Sequence, residues 1–366
     1  MSPKSLAYGF LLAVIFFAVS LGWFCPRFYL WNPAEFYDFP ECNRAVATLL
    51  QARAPSADIV PIGGNDVIRW RLLFPTLAYF FKLSPDVLVI LPFVFSFLML
   101  WAAGSLIYAR TQKLSAAAAA TALAATSAPF FVSTGFLCYF DSALALLMIG
   151  TVFCERRVSV FALAALAPWV DERFILALPL LLWARAALQK KVAEMILPIA
   201  LGLAPYLVLR VFAALAGDFT GGYWSNYLRF DHNTKRLFLG LWEGLRWGFA
   251  PVMAALLWAK KEIRLGGILI MLAMIFLHLT IAGDYSRSGV IFLPIMLLGV
   301  IALAKATRVW LWVLWTLALL NFLTPAHIAF RAFVIPIFNL ETQLKIKDNV
   351  LKLIREKYAP ENLNNL

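Results

Sequence analysis

The charged residues of this chain lie in short gaps between apolar blocks, and basic gaps alternate with acidic ones. The basic gaps contain Arg110 and Lys113, Arg156 and Arg157, Arg185 with Lys190 and Lys191, Lys260 with Lys261 and Arg264, and Lys305 with Arg308. The acidic gaps contain Asp141, Asp171–Glu172–Arg173, Asp218, Asp231 and Asp284. Many blocks approach the roughly 20 apolar residues that cross a bilayer. This alternation predicts an all-α, polytopic membrane protein with its basic turns in the cytoplasm and its acidic turns outside.

Composition agrees with a membrane protein and argues against a nucleic-acid partner. The chain is 63% hydrophobic and 14% charged, whereas soluble proteins carry about a quarter charged residues. Its net charge of +12 comes from short Lys and Arg clusters, which orient spans and contact anionic membrane lipids. The sequence has no P-loop, HExxH or GxSxG motif, and its histidines have no zinc-site spacing. We therefore predict no metal site built from these residue types.

The apolar blocks predict about eleven spans in one domain over residues 1–330. The expected spans are 6–24, 86–109, 115–134, 136–154, 158–170, 174–187, 192–216, 239–259, 265–283, 288–304 and 309–330. Residues 25–69 form the first outer loop, which includes an amphipathic helix over Glu41–Arg53, and residues 70–84 form an interfacial helix. The tail 331–366 has the spacing of an amphipathic surface helix.

The pair 158–170 and 174–187 is short, at roughly 20 Å of helix each. The pair can be two full spans, a re-entrant hairpin with Asp171–Glu172–Arg173 at its tip, or one helix with three charges at mid-depth. Charges at mid-depth are costly unless they face a wet cavity. We therefore expect the hairpin, with the three charged residues below the normal membrane surface.

Two features of the first outer loop and the following segment carry candidate chemistry. Asp38 and Glu41 lie among aromatic residues ahead of the amphipathic helix, where desolvation can raise a carboxyl pKa as a general base requires. Either residue can instead serve as a helix N-terminal charge. Arg69 and Arg71 flank Trp70 and can bind a lipid phosphate through forked hydrogen bonds, or simply anchor the helix by snorkelling.

Further candidates are charged residues at the outward tips between later spans. Each of the two turns Asp171–Glu172–Arg173 and Asp284–Arg287 pairs acidic residues with an arginine, and Asp141 stands between two other spans. A local salt bridge can explain one such turn. Several ionisable tips on one side instead indicate substrate-binding residues, because ionisable groups at membrane depth are usually functional.

In their order along the chain, these elements resemble the GT-C class of membrane glycosyltransferases, which includes the protein mannosyltransferases and the lipid A aminoarabinose transferases. The matching elements are the first span, Asp38 ahead of the helical stretch Asn43–Gln51, the basic-Leu-Leu-x-Pro stretch Arg71–Pro75, and the polar tips Asp141 and Asp171–Arg173. The resemblance covers most of residues 1–310. The first loop has no Asp-Glu pair at Asp38 and no Asp-x-Asp, so divalent-metal dependence and the identity of the base stay open.

The resemblance implies a glycosyltransferase at the outer face of a bacterial-type plasma membrane, with a sugar on polyprenyl phosphate as donor and no required cofactor. Asp38 would deprotonate the acceptor, and Arg71, Arg173 or Arg287 would stabilise the leaving phosphate. Two alternatives are a transporter or flippase and a non-catalytic scaffold for envelope assembly. Transporters usually show Gly/Pro-broken spans in matching halves, and this sequence shows no such internal symmetry.

Overall fold

The computed structural model of the chain describes residues 1–24, 43–55, 69–136, 138–215, 234–281, 285–329 and 334–336. Within these ranges the fold is all-α apart from one short antiparallel strand pair. Asp38, Glu41 and Asp284 lie outside the described residues, as does most of the predicted tail helix. Their expected roles therefore stay predictions.

The helices follow the apolar blocks of the sequence. They are α1 (Pro3–Phe24), α2 (Asn43–Arg53), α3 (Leu73–Phe81), α4 (Pro85–Thr111), α5 (Leu114–Ala125), α6 (Ala128–Gly135), α7 (Asp141–Phe153), α8 (Arg157–Val170), α9 (Arg173–Ala187), α10 (Ala193–Leu215), α11 (Thr234–Leu245), α12 (Phe249–Trp258), α13 (Lys261–Ile281), α14 (Leu293–Ala306) and α15 (Arg308–Leu323). Short 3₁₀ helices cover Arg246–Gly248 and Arg287–Phe292, and strands β1 (His327–Ala329) and β2 (Val334–Pro336) follow α15.

Within the described ranges, four helical stretches are long and apolar enough to cross a membrane, and the eleven spans expected are not confirmed. They are Pro3–Phe24, Val87–Thr111, Ala193–Ala213 and Arg287–Ala306. A fifth is possible if α5 and α6, which are bent by 52° relative to each other, count as one span. The difference arises because several predicted spans are interrupted. The block 239–259 contains a 3₁₀ turn, and the block 309–330 ends its helix at Leu323 and continues into β1.

The short helices α8 and α9 are joined by a tight turn but pack chiefly on other helices. Their lengths are 14 and 15 residues, and Asp171 and Glu172 form the turn between them. Helix α8 packs mainly against α10, whereas α9 packs mainly against α13 and α7. Asp171 and Glu172 thus lie at the turn between two short helices, as expected, and re-entry into the membrane stays a prediction.

Among the described residues, basic side chains lie at the end of helix α7 opposite Asp141. Helix α7 begins at Asp141, and at its other end Arg185 donates a 2.9 Å hydrogen bond to the carbonyl oxygen of Cys154. Lys190 donates to the carbonyl of Phe153 at the same end. Cations there balance the negative end of the helix dipole. The predicted separation of charged turns is thus visible at helix α7.

The core consists of closely packed small and aliphatic side chains. All residues of α5 from Ala116 to Ala125 are buried, and most of α14 is buried beside them. Small residues let helix backbones approach closely, which is the usual packing mode of membrane helices. Large apolar side chains such as Phe10, Leu197 and Trp312 are exposed on the outer faces of α1, α10 and α15. These apolar outer faces suit a lipid environment.

Helices α2 and α3 pack against each other. Ala47, Leu49 and Gln51 of α2 are buried, and the Gln51 side-chain amide donates a 3.0 Å hydrogen bond to the carbonyl oxygen of Arg69. This contact fixes the segment that leads into α3. Helix α3 in turn exposes Phe80 and Phe81, as an interfacial helix would.

Candidate functional site

Six charged side chains from four separate segments meet at one end of the helices. We call this group the arginine–carboxylate cluster; its members are Arg71, Asp141, Asp171, Glu172, Arg173 and Arg287. Each segment lies at or just before the first turn of a helix. The positive ends of the helix dipoles therefore converge here and favour the carboxylates.

The centre of the cluster is formed by two buried aspartates that share one arginine. Arg173 Nη2 lies 2.5 Å from Asp141 Oδ1 and 2.7 Å from Asp171 Oδ2. Its Nη1 donates a 2.8 Å hydrogen bond to the carbonyl oxygen of Arg287. Arg173 thus ties three segments together through a guanidinium that presents five donors in a fixed plane.

Arg287 is the second arginine that forms an ion pair with Asp141. Its Nη2 lies 3.0 Å from Asp141 Oδ2, and its guanidinium lies 4.5 Å from the ring centroid of Tyr139. The aromatic face adds a cation–π attraction to the ion pair. Arg287 begins the 3₁₀ helix Arg287–Phe292, which leads directly into the buried helix α14.

Arg71 binds the more accessible part of the cluster. Its Nη1 lies 2.9 Å from Asp171 Oδ2, while its Nη2 and Nε donate to the two oxygens of Glu172 at 2.8 and 3.2 Å. The Glu172 side chain is 26% exposed, compared with 3% for Asp171. The fork of Arg71 is therefore occupied by the most exposed carboxylate of the cluster.

The cluster balances its own charge. Three arginines face three carboxylates, which offsets the desolvation that isolated buried charges would suffer. Burial acts to raise the pKa of Asp171, but the charges of Arg173 and Arg71 outweigh it and hold that pKa well below its ordinary value. Asp171 is therefore ionised throughout the physiological pH range and cannot serve there as a proton donor.

An aromatic patch adjoins the cluster on the side of α10. The guanidinium of Arg210 lies 4.8 Å from the centroid of the Trp70 ring. Trp169 and Tyr206 pack edge to face, with centroids 5.1 Å apart. The arrangement adds cationic and aromatic groups beside Arg71, on a helix that is otherwise apolar at its surface.

The structure brings together most of the described candidate residues. Asp141, Asp171, Glu172, Arg173 and Arg287 join Arg71 in direct ion pairs. The backbone carbonyl of Arg69 accepts a hydrogen bond from the Gln51 side chain. Asp38, Glu41 and Asp284 lie outside the described residues.

A second polar group was missed by the sequence analysis. Glu243 Oε1 lies 3.2 Å from His327 Nδ1, and Glu243 Oε2 lies 3.5 Å from Arg246 Nε. Residues 243 and 327 are 84 positions apart, so no local spacing connects them. The sole sequence signals were an acid and an arginine within the block 239–259 and a histidine within the block 309–330.

The described residues offer no metal site, and no similar protein indicates a function for the chain. Over the parts of the chain that the structure describes, no group of three or more His, Cys, Asp or Glu side chains is arranged to hold a metal ion. Comparison of the chain with protein-family models, curated proteins and solved structures found no match. The geometry of the site is therefore the evidence for its function.

Proposed function

We propose that this protein is an integral membrane glycosyltransferase that transfers a sugar from a polyprenyl-phosphate donor to an acceptor on the extracytoplasmic face of a plasma membrane. The observation that carries the proposal is the arginine–carboxylate cluster at the end of the helices opposite the basic turns. The order of elements that resembles the GT-C class supplies the reaction type.

The fork of Arg71 supports a phosphate ligand, because the carboxylate that it binds, Glu172, is the most exposed one of the cluster. A phosphate offers the same pair of oxygen acceptors as a carboxylate and binds a guanidinium in the same bidentate manner. Glu172 already occupies the Nε and Nη2 donors of Arg71. We propose that the donor phosphate displaces this half-buried carboxylate, while Asp171 keeps Arg71 in position from the opposite side.

The proposed sugar transfer requires cations close to the phosphate that leaves. As the bond between sugar and phosphate breaks, charge develops on the phosphate oxygens, and fixed cations in a poorly solvated site stabilise that charge. Arg71 supplies such a cation, with Arg287 beside it across Asp141 and Asp171. Asp38 is the acceptor base that the resemblance implies, and in this scheme the transfer requires no metal.

The first test measures binding of polyprenyl phosphate to the full chain in lipid nanodiscs, with polyprenol of equal chain length as the uncharged comparison. We expect the wild type to prefer the phosphate. Arg71→Lys should weaken phosphate binding by roughly ten- to hundredfold, because an ammonium cannot reproduce two parallel N–H bonds worth about 1.5–3 kcal/mol. Arg69→Lys is the matched control and should bind normally.

Two outcomes would count against this proposal. Equal affinity for polyprenyl phosphate and polyprenol would remove the phosphate site, and equal small effects of Arg69→Lys and Arg71→Lys would make both residues membrane anchors. Mass comparison of lipid extracts from cells with and without the gene tests the transfer itself. Loss of a glycosylated product supports transfer, whereas an unmodified lipid found on the wrong leaflet would indicate a flippase.

A further inference from the structure

The pair Glu243–His327 combines a buried carboxylate with a partly exposed imidazole. Glu243 has 2% of its side chain exposed and His327 has 32%. Among the described residues, Arg246 is the cation nearest the other carboxylate oxygen, at 3.5 Å. Arg246 is itself fully buried and donates a 2.5 Å hydrogen bond to the carbonyl oxygen of Asn321.

Hydrogen bonding to Glu243 selects the state of the imidazole. A carboxylate only accepts hydrogen bonds, so His327 Nδ1 carries the proton in the 3.2 Å contact with Glu243 Oε1. The second ring nitrogen, Nε2, is then the acceptor in the neutral ring. A carboxylate that holds Nδ1–H in this way orients the ring and stabilises the imidazolium formed when Nε2 takes up a proton.

The backbone around His327 is firmly positioned next to the arginine–carboxylate cluster. Strand β1 pairs with β2, and the Ala329 amide donates a 2.8 Å hydrogen bond to Ser286 Oγ. The Tyr285 amide donates back to the Ala329 carbonyl at 3.0 Å. Ser286 directly precedes Arg287 of the cluster. These hydrogen bonds therefore connect the strand that carries His327 to the segment that carries Arg287, and Arg287 pairs with Asp141.

Helix α11, which carries Glu243, contacts the same segment. A Cβ on Gly244 would lie 2.8 Å from the Cα of Gly289, so the two backbones touch. Gly289 lies two residues after Arg287 in the 3₁₀ helix. Both halves of the Glu243–His327 pair are therefore braced against the stretch that supplies Arg287.

From this arrangement we propose that His327, in place of Asp38, is the catalytic proton acceptor of the transfer, with Glu243 as its positioning residue. The inference rests on the proposed glycosyl transfer. The acceptor O–H bond breaks and its proton goes to His327 Nε2. The acceptor oxygen forms a bond to the anomeric carbon, and the bond from that carbon to the phosphate oxygen breaks. The electron pair leaves with the lipid phosphate, beside the arginines, and His327 becomes an imidazolium paired with Glu243.

The charged groups on the packed elements agree with this role. Helix α11 contributes Glu243, with Lys235 and Arg236 about two turns earlier, and the following 3₁₀ turn contributes Arg246. Arg246 Nε lies 3.5 Å from one oxygen of Glu243, while the other oxygen accepts the Nδ1–H bond of the imidazole at 3.2 Å.

The test compares His327→Gln and Glu243→Gln with the wild type in full-length protein. Transfer rates are measured from pH 5 to pH 8.5 with a polyprenyl-phosphate sugar. Wild-type transfer should rise with pH across the range in which imidazoles lose a proton, about pH 5 to 8. His327→Gln should lower the rate at pH 7.5 by roughly a hundredfold and remove this rise. Glu243→Gln keeps the histidine and should lower the rate less, with the rise retained but shifted.

A second measurement does not depend on transfer. Diethyl pyrocarbonate reacts with neutral imidazole nitrogen, and mass spectrometry locates the modified residue. His327 should be modified in the folded wild type and several-fold more slowly in Glu243→Gln. A folded protein in which His327 resists modification, although it reacts after unfolding, would show that Nε2 cannot be reached and would overturn the assignment.

The outcomes separate this inference from the proposed function. An unchanged pH profile in His327→Gln, together with loss of transfer in Asp38→Asn, would overturn the role of His327 and leave the glycosyltransferase intact. Absence of transfer in the wild type, with no preference for polyprenyl phosphate over polyprenol, would overturn both. If His327→Gln unfolds at a normal midpoint but its transfer rate no longer rises with pH, the role of His327 as base is supported. A purely structural role would leave the pH dependence of the rate unchanged.

Discussion

The arginine–carboxylate cluster and the Glu243–His327 pair both bury acidic side chains against cationic partners, but they differ in what their charges can do. In the cluster, three guanidiniums are matched by three carboxylates. In the pair, one carboxylate is divided between a fully buried arginine and a partly exposed imidazole. The first group has equal numbers of positive and negative side chains, whereas the second contains an imidazole, which in its neutral form has one donor and one acceptor nitrogen.

In the proposed reaction the two regions have complementary tasks. A guanidinium stays protonated at every physiological pH, so we propose that the arginines of the cluster stabilise the leaving phosphate and do not accept a proton. A neutral imidazole has a nitrogen that can accept a proton, so we propose that the pair takes up the acceptor proton. The hydrogen bonds between Ala329 and the segment Tyr285–Ser286 keep the two groups side by side.

The largest effect on stability is expected from Asp141→Asn. The side chain of Asp141 is fully buried between Arg173 and Arg287, and removal of one partner from a buried ion pair typically costs about 3–5 kcal/mol. Thermal unfolding in detergent micelles should show a strongly lowered midpoint. Glu155→Gln is the matched control: Glu155 is 73% exposed in its pair with Arg110, and its loss should change stability by no more than about 0.5 kcal/mol. Similar midpoints for the two variants would contradict a structural role for the cluster.

A smaller effect is expected from Gly244→Ala, which tests whether the two regions are mechanically joined. The added methyl group would meet the backbone of Gly289 at 2.8 Å, and overpacking of this kind costs about 1–3 kcal/mol. Both the unfolding midpoint and the affinity for polyprenyl phosphate should fall. Gly266→Ala is the control, since nothing lies within 4 Å of a Cβ there and alanine favours a helix by about 1 kcal/mol. Normal phosphate binding in a destabilised Gly244→Ala would show that the regions act independently.

The smallest effect is the pH dependence contributed by Asp171. Its pKa is lowered in the folded protein by Arg173 and Arg71, against the opposing effect of burial. The unfolded chain, in which this pKa is about 4, therefore takes up the proton first as the pH falls. The stabilisation is complete above about pH 4 and is lost below it, towards the lowered pKa. The difference in unfolding midpoint between the wild type and Asp171→Asn should become smaller as the pH falls from 4 to 3. A constant difference over that range would contradict the shift.

Much of the candidate site was visible in the sequence because alternating charged turns report which helix ends lie together. Asp141, Asp171 and Arg287 were assigned to one side from the order of basic and acidic gaps alone, and they meet in one cluster. The all-α fold was likewise confirmed, since long apolar blocks leave few alternatives. The number of spans was less predictable, because hydropathy does not register the 3₁₀ break at Arg246 or the end of α15 at Leu323.

What the sequence by itself determined was the class of fold and the common placement of Asp141, Asp171 and Arg287 at one end of the helices, since both follow from local composition and spacing. Only the tertiary structure decided which charges become partners. Arg71 reaches Glu172 across 101 positions, and Glu243 reaches His327 across 84. Such contacts depend on how helices α3, α9 and α11 and the strand β1 are placed in the fold. The spacing of residues along the chain does not predict that placement.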